Sequence, residues 1–468
     1  MTEEVSDFLV VGTGPSAAAA VFSLLPLNKT ICVIDAGVAM PSVGFNSVTS
    51  QKSMSFLKPY KGDFSDYFIH PKSVENYEQN IVPRPSNFFG GFSRVWGATA
   101  HGSEAQFGWP SNIKPSKEDL IAFQKLIRIV KVKPSPFAEE SKERFEKFAN
   151  KEWKVRHSLR ALKGSEHEIV DNSFVSAANH LSDINDFWQS SSLITKWVSQ
   201  GLVNHYGGIF VLNCCQKPDS VVVNTIDLKG DLQQFVGRRL ILAAGAIGTA
   251  QILVRSGFLA RVRIPDTPTA FGGFISRNLV RCAEELDNQI SQWWAEDEKD
   301  GYIAQIYQPS RLNELRIRTE LRIPRRIRSL SLAISERIYP VVMYSPKTSE
   351  EYIEVVRNSG ETSVKAIQSE EVRRQFGVAI GRFALSLRKS GYWAARKTFK
   401  IGDVGQGFHS GSSLPHNLLT SDLGSLPSLK RIHIVDSSVL PHLKPGPITS
   451  VTILNSIRIA RAIGKLNE

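Results

Sequence analysis

The chain has 468 residues, 42% of them hydrophobic and 22% charged. That length and balance suit a globular protein with room for two domains, and exclude a disordered or fibrous chain. A formal net charge of +12 raises the question of an anionic partner, but no recognition fold accompanies it, so no nucleic-acid binding is expected.

The N-terminal Met-Thr-Glu-Glu-Val-Ser-Asp is acidic and leads straight into an apolar run, so no signal peptide and a cytoplasmic location are expected. Cys32, Cys214, Cys215 and Cys282 lack metal-ligand spacing and read as buried thiols; no metal site is expected. The longest apolar run, Leu240 to Val254, is interrupted by glycines, which argues against a membrane span.

The first predicted unit is strand, glycine turn, helix, strand. Asp7-Phe8-Leu9-Val10-Val11 is followed by Gly12-Thr13-Gly14-Pro15-Ser16-Ala17, and a second apolar run ends at Asp35. Gly12 permits the sharp turn, Gly14 lets a pyrophosphate approach the backbone, and Ala17 lets the helix pack on its strand. The helix N-terminus offers free N–H groups to the phosphates, and Asp35 can accept from a ribose hydroxyl. The unit reads as a dinucleotide site.

Farther along, Phe89-Gly90-Gly91-Phe92-Ser93-Arg94-Val95-Trp96-Gly97 is a glycine-rich block. Residues 117–164 are charged and helix-like, with Leu120, Phe123, Leu126 and Ile127 at helical spacing. Strands are predicted at 208–212 and 220–223 with a turn at Pro218-Asp219. Arg239 to Gly257 gives a buried strand, a small-residue turn at Ala243-Ala244-Gly245, and a helix stopped by Gly257. The alternation over 315–323 predicts a half-buried strand, and 369–393 is helical. Trp293-Trp294, beside Ala-Glu-Asp-Glu-Lys-Asp, is expected to be an exposed amphipathic helix end, with an aromatic lip over a sugar ring as the alternative.

Several of these segments together resemble the glucose–methanol–choline oxidoreductase family. Arg239 to Gly257 is similar to its "AAGAxxSxxLLxxSG" signature and Phe408-His409-Ser410-Gly411-Ser412-Ser413 to its "HxxGT" block. Leu429 to Pro441 is similar to "NLxVVDxSxxP", and the 89–97 block to the "GGxSxxW" of the sugar-oxidising members. The blocks stand in family order across residues 7 to 458, and the segments between them match nothing recognisable.

The resemblance implies an α/β fold: a Rossmann-like FAD-binding domain with a discontinuous substrate domain of antiparallel sheet plus helices. The FAD domain would take residues 1–105, 195–265 and 400–468, the substrate domain 106–194 and 266–399. It implies cofactor contacts at Gly90, Gly91, Ser93, Trp96, Gly97, Val211, Ala244, Gly245, Asp436, Ser437, Pro447 and Thr449, besides Gly12, Gly14, Ala17 and Asp35. Some sugar-oxidising relatives attach FAD through a histidine where this chain has Val95, so non-covalent FAD is expected.

The implied reaction is oxidation of a CH–OH group of a sugar or sugar derivative, with hydride passing to flavin N5 and His409 as general base. The family's second catalytic histidine or asparagine falls on Pro447, which has neither a side-chain donor nor a backbone N–H. Thr449, Ser450, His442 or His416 could replace it, His409 could act alone with a partner from the substrate domain, or the chain could be a flavin-binding protein without turnover. An NAD-dependent dehydrogenase rests on the first motif alone. The electron acceptor, whether oxygen, a quinone or a small redox protein, has no motif. The basic clusters around Arg311, Arg316, Arg318, Arg322, Arg325, Arg326 and Arg328 and around Arg388, Lys389, Arg396, Lys397 and Lys400 could face solvent, an anionic membrane or a phosphorylated substrate.

Overall fold

Phe8 to Val11 are apolar without alternation, as a strand buried on both faces requires. They belong to β1 (Ser6–Val11), which leads through α1 (Pro15–Leu24) into the parallel neighbour β2 (Ile31–Asp35). The computed structural model describes residues 5–37, 75–77, 88–94, 98–100, 107–131, 148, 152–163, 176–177, 188–276, 291–309, 324, 328–358, 361–416 and 419–466. Its architecture is mixed α/β, as the sequence led us to expect.

The first sheet adds β3 (Asn204–Gly207), β4 (Ile209–Gln216), β5 (Val221–Asp227) and β6 (Leu232–Leu242) in the order β4-β5-β6-β1-β2-β3. The short strand Ile432–Ile434 also pairs with β6, in parallel. The strands predicted near 209 and 220 are β4 and β5, an antiparallel pair. β6 is long enough to pair antiparallel with β5 along its first half and parallel with β1 along its second. The C-terminal ends of β1, β2 and β6 therefore meet at one edge, where α/β sheets present ligands. Behind it, Ala17 to Val21 are sealed between the sheet and the C-terminal helix Thr449–Gly464, whose Ser456 donates to Ser16 O at 2.7 Å. Only small side chains allow α1 to lie this close.

The second sheet is antiparallel. It contains β7 (Thr269–Ile275), β8 (Ser291–Asp297), β9 (Ile303–Tyr307) and β10 (Ile338–Tyr344), flanked by the strands Trp153–His157 and Lys400–Ile401. The order across it is Lys400–Ile401, β7, β10, β9, β8, Trp153–His157. Alternation divides its side chains between two faces. Phe274, Tyr339, Val341, Met343 and Ile306 pack against Phe376, Ile380, Phe383 and Leu387. Those four lie on a long helix, Glu370–Lys389, whose Ser369 N-cap accepts from Val372 N–H and whose last turn carries Arg388 and Lys389, as the dipole favours. The opposite face carries Phe271, Trp294, Ile303, Gln305, Tyr307, Val342 and Tyr344.

Two expectations are corrected. Trp293 and Trp294 are in β8, 3% and 1% exposed, so they form neither a helix end nor a lip. Strand alternation sends Trp293 into the helix-backed core and Trp294 to the other face. Within 117–164 the described residues are helical over Lys117–Leu126 and at Phe148, whereas Ile127–Lys131 and Leu159–Lys163 pair as strands. There β-branched Ile127 and Ile129, alternating with Arg128, prevail over the helical spacing. The strand expected at 315–323, the arginines from 311 to 326, and Cys282 lie outside the described residues. No helix among the described residues is long and apolar enough to cross a membrane.

Candidate functional site

A cavity of about 230 Å³ opens at the meeting edge of β1, β2 and β6. Three helices begin at its wall: α1 after Gly14, α2 (Gly245–Arg255) after Ala244, and α3 (Thr449–Gly464) after Ile448. In none does the N-cap residue's own side chain cap the first turn, and none carries an acidic residue in that turn, although the Asp436 carboxylate accepts from Gly245 N–H at the start of α2. Their remaining N–H groups and positive dipole ends converge on one space, the electrostatic environment a pyrophosphate needs.

The backbone is shaped for close approach. Gly12 has φ of +105°, and a Cβ there would lie 2.5 Å from Ala243 O. A Cβ on Gly91 would lie 3.1 Å from Gly14 Cα, so the two glycine loops touch. Thr13 binds three parts of the site together: its hydroxyl donates to Asp35 Oδ2 at 2.5 Å and accepts from Gly90 N–H at 2.8 Å. Asp35 Oδ1 accepts from Gly37 N–H. Burial pushes the Asp35 carboxyl up to about 6, against the pull of these hydrogen bonds.

The cavity wall includes Gly12, Gly14, Asp35, Gly91, Val211, Ala244, Gly245, Asp436, Ser437 and Thr449. Sequence stretches more than four hundred residues apart are thus brought together. Ala17 lies behind the wall in the helix, and Pro447 is buried beside Ile448, which lines it. Ser93 is turned inward: its hydroxyl donates to Gly90 O at 2.7 Å and lies 2.8 Å from Ser190 Oγ. Asp436 uses its carboxylate on Thr249 Oγ1 at 2.5 Å and Ser438 N–H at 3.0 Å, joining α2 to the turn after Ile432–Ile434. Val95, Trp96 and Gly97 lie outside the described residues.

His409 is not itself part of the cavity wall. Its neighbours Phe408 and Ser410 line the wall, and its ring faces Tyr344 with centroids 5.4 Å apart. The residue keeps part of its surface open, but Nδ1 is buried and finds no hydrogen-bond partner among the described residues. Burial pushes the imidazole down to about 4, so it is neutral at ordinary pH. Two contacts hold its loop: Thr267 N–H donates to His409 O at 3.2 Å, and Ser410 Oγ donates to Asp266 Oδ1 at 2.6 Å.

Of the groups expected to replace the residue at Pro447, two histidines are engaged elsewhere. His416 Nδ1 meets the Ser421 carbonyl at 2.7 Å and must be the protonated nitrogen, which leaves Nε2 to accept from Arg458 at 3.0 Å. His442 stacks on Phe107, and its Nε2 donates to Phe107 O at 2.9 Å. Only Thr449 lines the cavity.

The sequence reading missed Thr13, Phe210, Arg255, Phe408 and Asp266. Arg255 donates to Leu212 O at 2.7 Å and Val211 O at 3.0 Å, and its guanidinium lies 5.2 Å from the Phe210 ring centre. Thr13 sat in view inside the glycine motif, and Arg255 ends the small-residue helix. Asp266 has no local signal.

The fold is thus that of an α/β protein with a dinucleotide-type cleft at one sheet and a separate antiparallel sheet backed by a helix. No protein-family model matches the sequence, and no curated protein matches it. Among solved structures the fold is similar to pyridoxine 4-oxidase from Mesorbium loti, with a TM-score of 0.64 at 13% identity, covering 99% of this chain and 100% of that one.

Proposed function

We propose that this protein is an FAD-dependent oxidoreductase acting on a CH–OH group, of a sugar or sugar derivative, with His409 as general base. The observation that carries this reading is a neutral imidazole whose Nδ1 has no hydrogen-bond partner among the described residues, set between two residues of the cleft wall, Phe408 and Ser410, and against Tyr344 of the antiparallel sheet. The similar fold of an oxidase supports the reaction class. In this reading residues 1–105, 195–265 and 400–468 hold the cofactor, and 106–194 and 266–399 build the substrate side.

The converging helix N-termini and close-set glycines fit a dinucleotide pyrophosphate, and Asp35 lies at the wall to receive a ribose hydroxyl. FAD bound there, without a covalent link, supplies the acceptor for the hydride that leaves the carbinol carbon. His409 takes the hydroxyl proton on its unprotonated ring nitrogen. The contacts through Asp266 and Thr267 hold its loop, so the imidazole meets the substrate without first being ordered.

Pro447 favours one second reading, a flavin-binding protein without turnover, because His416 and His442 are both committed elsewhere. A visible spectrum separates the two. The enzyme reading requires flavin bands that bleach when a pool of sugars and alcohols is added anaerobically. His409→Ala should slow that bleaching by roughly 10²–10⁴-fold with FAD still bound; an unchanged rate would remove His409 from the role.

A further inference from the structure

The face of the antiparallel sheet turned away from its long helix carries a polar cluster that catalysis by His409 alone does not use. Tyr307 Oη lies 3.2 Å and Tyr344 Oη 3.1 Å from Gln305 Oε1. Gln305 is 2% exposed, and its Nε2 is buried with no partner among the described residues. None of the three residues is in the wall of the dinucleotide cleft.

The donor count does not depend on how the amide is oriented. Two tyrosine hydroxyls and one carboxamide carry four N–H or O–H hydrogens between them. If both hydroxyls donate to Gln305 Oε1, the two amide hydrogens are left over. If the amide is reversed and donates to both hydroxyls, the two phenolic hydrogens are left over. Either way the cluster has surplus donors in a buried site, where an unmade hydrogen bond costs free energy. Tyr307 cannot relieve this by ionising, since burial pushes its hydroxyl up to about 12. The cluster closes on itself at Gln305, but Tyr307 at one end and His409, against the Tyr344 ring, at the other keep part of their surface open.

We infer that Gln305, Tyr307 and Tyr344 form a subsite for a hydrogen-bond acceptor on the substrate, placed beside the alcohol that His409 deprotonates. The substrate is then an alcohol carrying a second acceptor atom about one ring's width from the reacting hydroxyl, and not a simple alkanol. This rests on the reading of His409 as the alcohol site.

The test uses the full-length, FAD-loaded protein and two probes of nearly equal shape, tetrahydropyran-4-ol and cyclohexanol. They differ by one ring oxygen in place of a methylene. Binding of each is titrated by saturation-transfer NMR, which needs no turnover. The wild type should hold tetrahydropyran-4-ol about tenfold more tightly, the size of one hydrogen bond to an otherwise unsatisfied donor. Gln305→Leu should abolish that preference, and Tyr307→Phe, which keeps the ring and its packing, should cut it at least about threefold. Retained flavin bands show that each variant is folded; if Gln305→Leu loses them, Tyr307→Phe decides. A wild type without the preference, or variants that keep it, overturn the subsite. A flavin bleached by alcohols with no ether preference removes the subsite alone. A Gln305-dependent preference with no alcohol bleaching the flavin removes the oxidoreductase reading and leaves the subsite standing.

Discussion

Ser410 donates to Asp266 across 144 residues of sequence, and through that 2.6 Å contact a buried carboxylate fixes the loop that carries His409. Asp266 also accepts from Gly405 N–H at 2.6 Å, so it holds the loop on both sides of the histidine. The residue is 1% exposed, and burial pushes its carboxyl up to about 7, with the two hydrogen bonds pulling against it.

The sign of the resulting pH dependence follows from that direction. The folded-state pKa lies above the unfolded value, so the native state binds the proton more tightly. The contribution is fully present below about pH 4 and is lost as pH rises toward about 7, by on the order of 4 kcal/mol. Asp266→Asn removes the charge, and its amide can donate to Ser410 while its oxygen still accepts from Gly405. Urea unfolding at several pH values should therefore show the wild type losing stability relative to Asp266→Asn between pH 4 and 7. Parallel curves would mean that Asp266 is not desolvated.

The rate profile makes a second prediction. With the His409 imidazole held near 4, the base is already neutral throughout the mildly acid range. The acid limb of kcat/KM for flavin reduction should then fall near pH 4 to 5, well below the 6.5 of an ordinary histidine. An acid limb at or above 6.5 would show that the ring is solvated in the working enzyme.

How much of this was readable in the sequence depends on how local each signal is. Gly12, Gly14 and Asp35 announce themselves because turn geometry and phosphate approach demand particular residues at fixed spacing. Ala244, Gly245, Asp436 and Thr449 were legible through block resemblance, and the fold brings them to the same wall. Asp266 and Gln305 were not legible: Ser410 is 144 residues from Asp266, and although Tyr307 is only two residues from Gln305, Tyr344 is 39 away and reaches it through strand pairing. Trp293-Trp294 misled because a pair of adjacent aromatics beside charges suits a helix end as well as a two-faced strand; only pairing with β9 and Trp153–His157 decides. The Ile127–Lys131 strand was lost for a related reason, a short β-branched run following directly on a genuine helix.

Gly12 offers a test of the cleft. Alanine there would require a side chain at φ +105° and place Cβ 2.5 Å from Ala243 O. Neither backbone can yield without separating β1 from β6. Gly12→Ala should cost at least about 2–3 kcal/mol of stability and abolish FAD retention. Thermal unfolding and the flavin-to-protein absorbance ratio measure both; an alanine variant that keeps its flavin would move the cofactor away from this turn.

Thr13 tests the relay between the glycine loops and Asp35. Its hydroxyl both donates to Asp35 and accepts from Gly90 N–H, so Thr13→Val leaves two buried groups without their partner. Valine keeps the branched shape, which separates the lost hydrogen bonds from lost packing. The expected cost is about 1–3 kcal/mol, with FAD affinity reduced roughly tenfold if the relay sets the ribose and pyrophosphate contacts. Tm and FAD titration of the stripped protein give the two numbers, and an unchanged affinity would confine Thr13 to a structural part.

His416 distinguishes a structural histidine from a catalytic one. It is buried, its Nδ1–H donates to Ser421 O, and its Nε2 accepts from Arg458, whose guanidinium also donates to Asn455 Oδ1 at 3.1 Å. Burial pushes its imidazole down to about 4, so its stabilising contribution is present above about pH 6.5 and is lost as pH falls toward 4. His416→Ala removes the acceptor facing a buried guanidinium and opens a cavity, at an expected cost of about 2–4 kcal/mol. Because none of its contacts reaches the cavity wall, flavin reduction per mole of bound FAD should be unchanged. A loss of reduction rate in a variant that still binds FAD would instead make His416 the replacement for the group missing at Pro447.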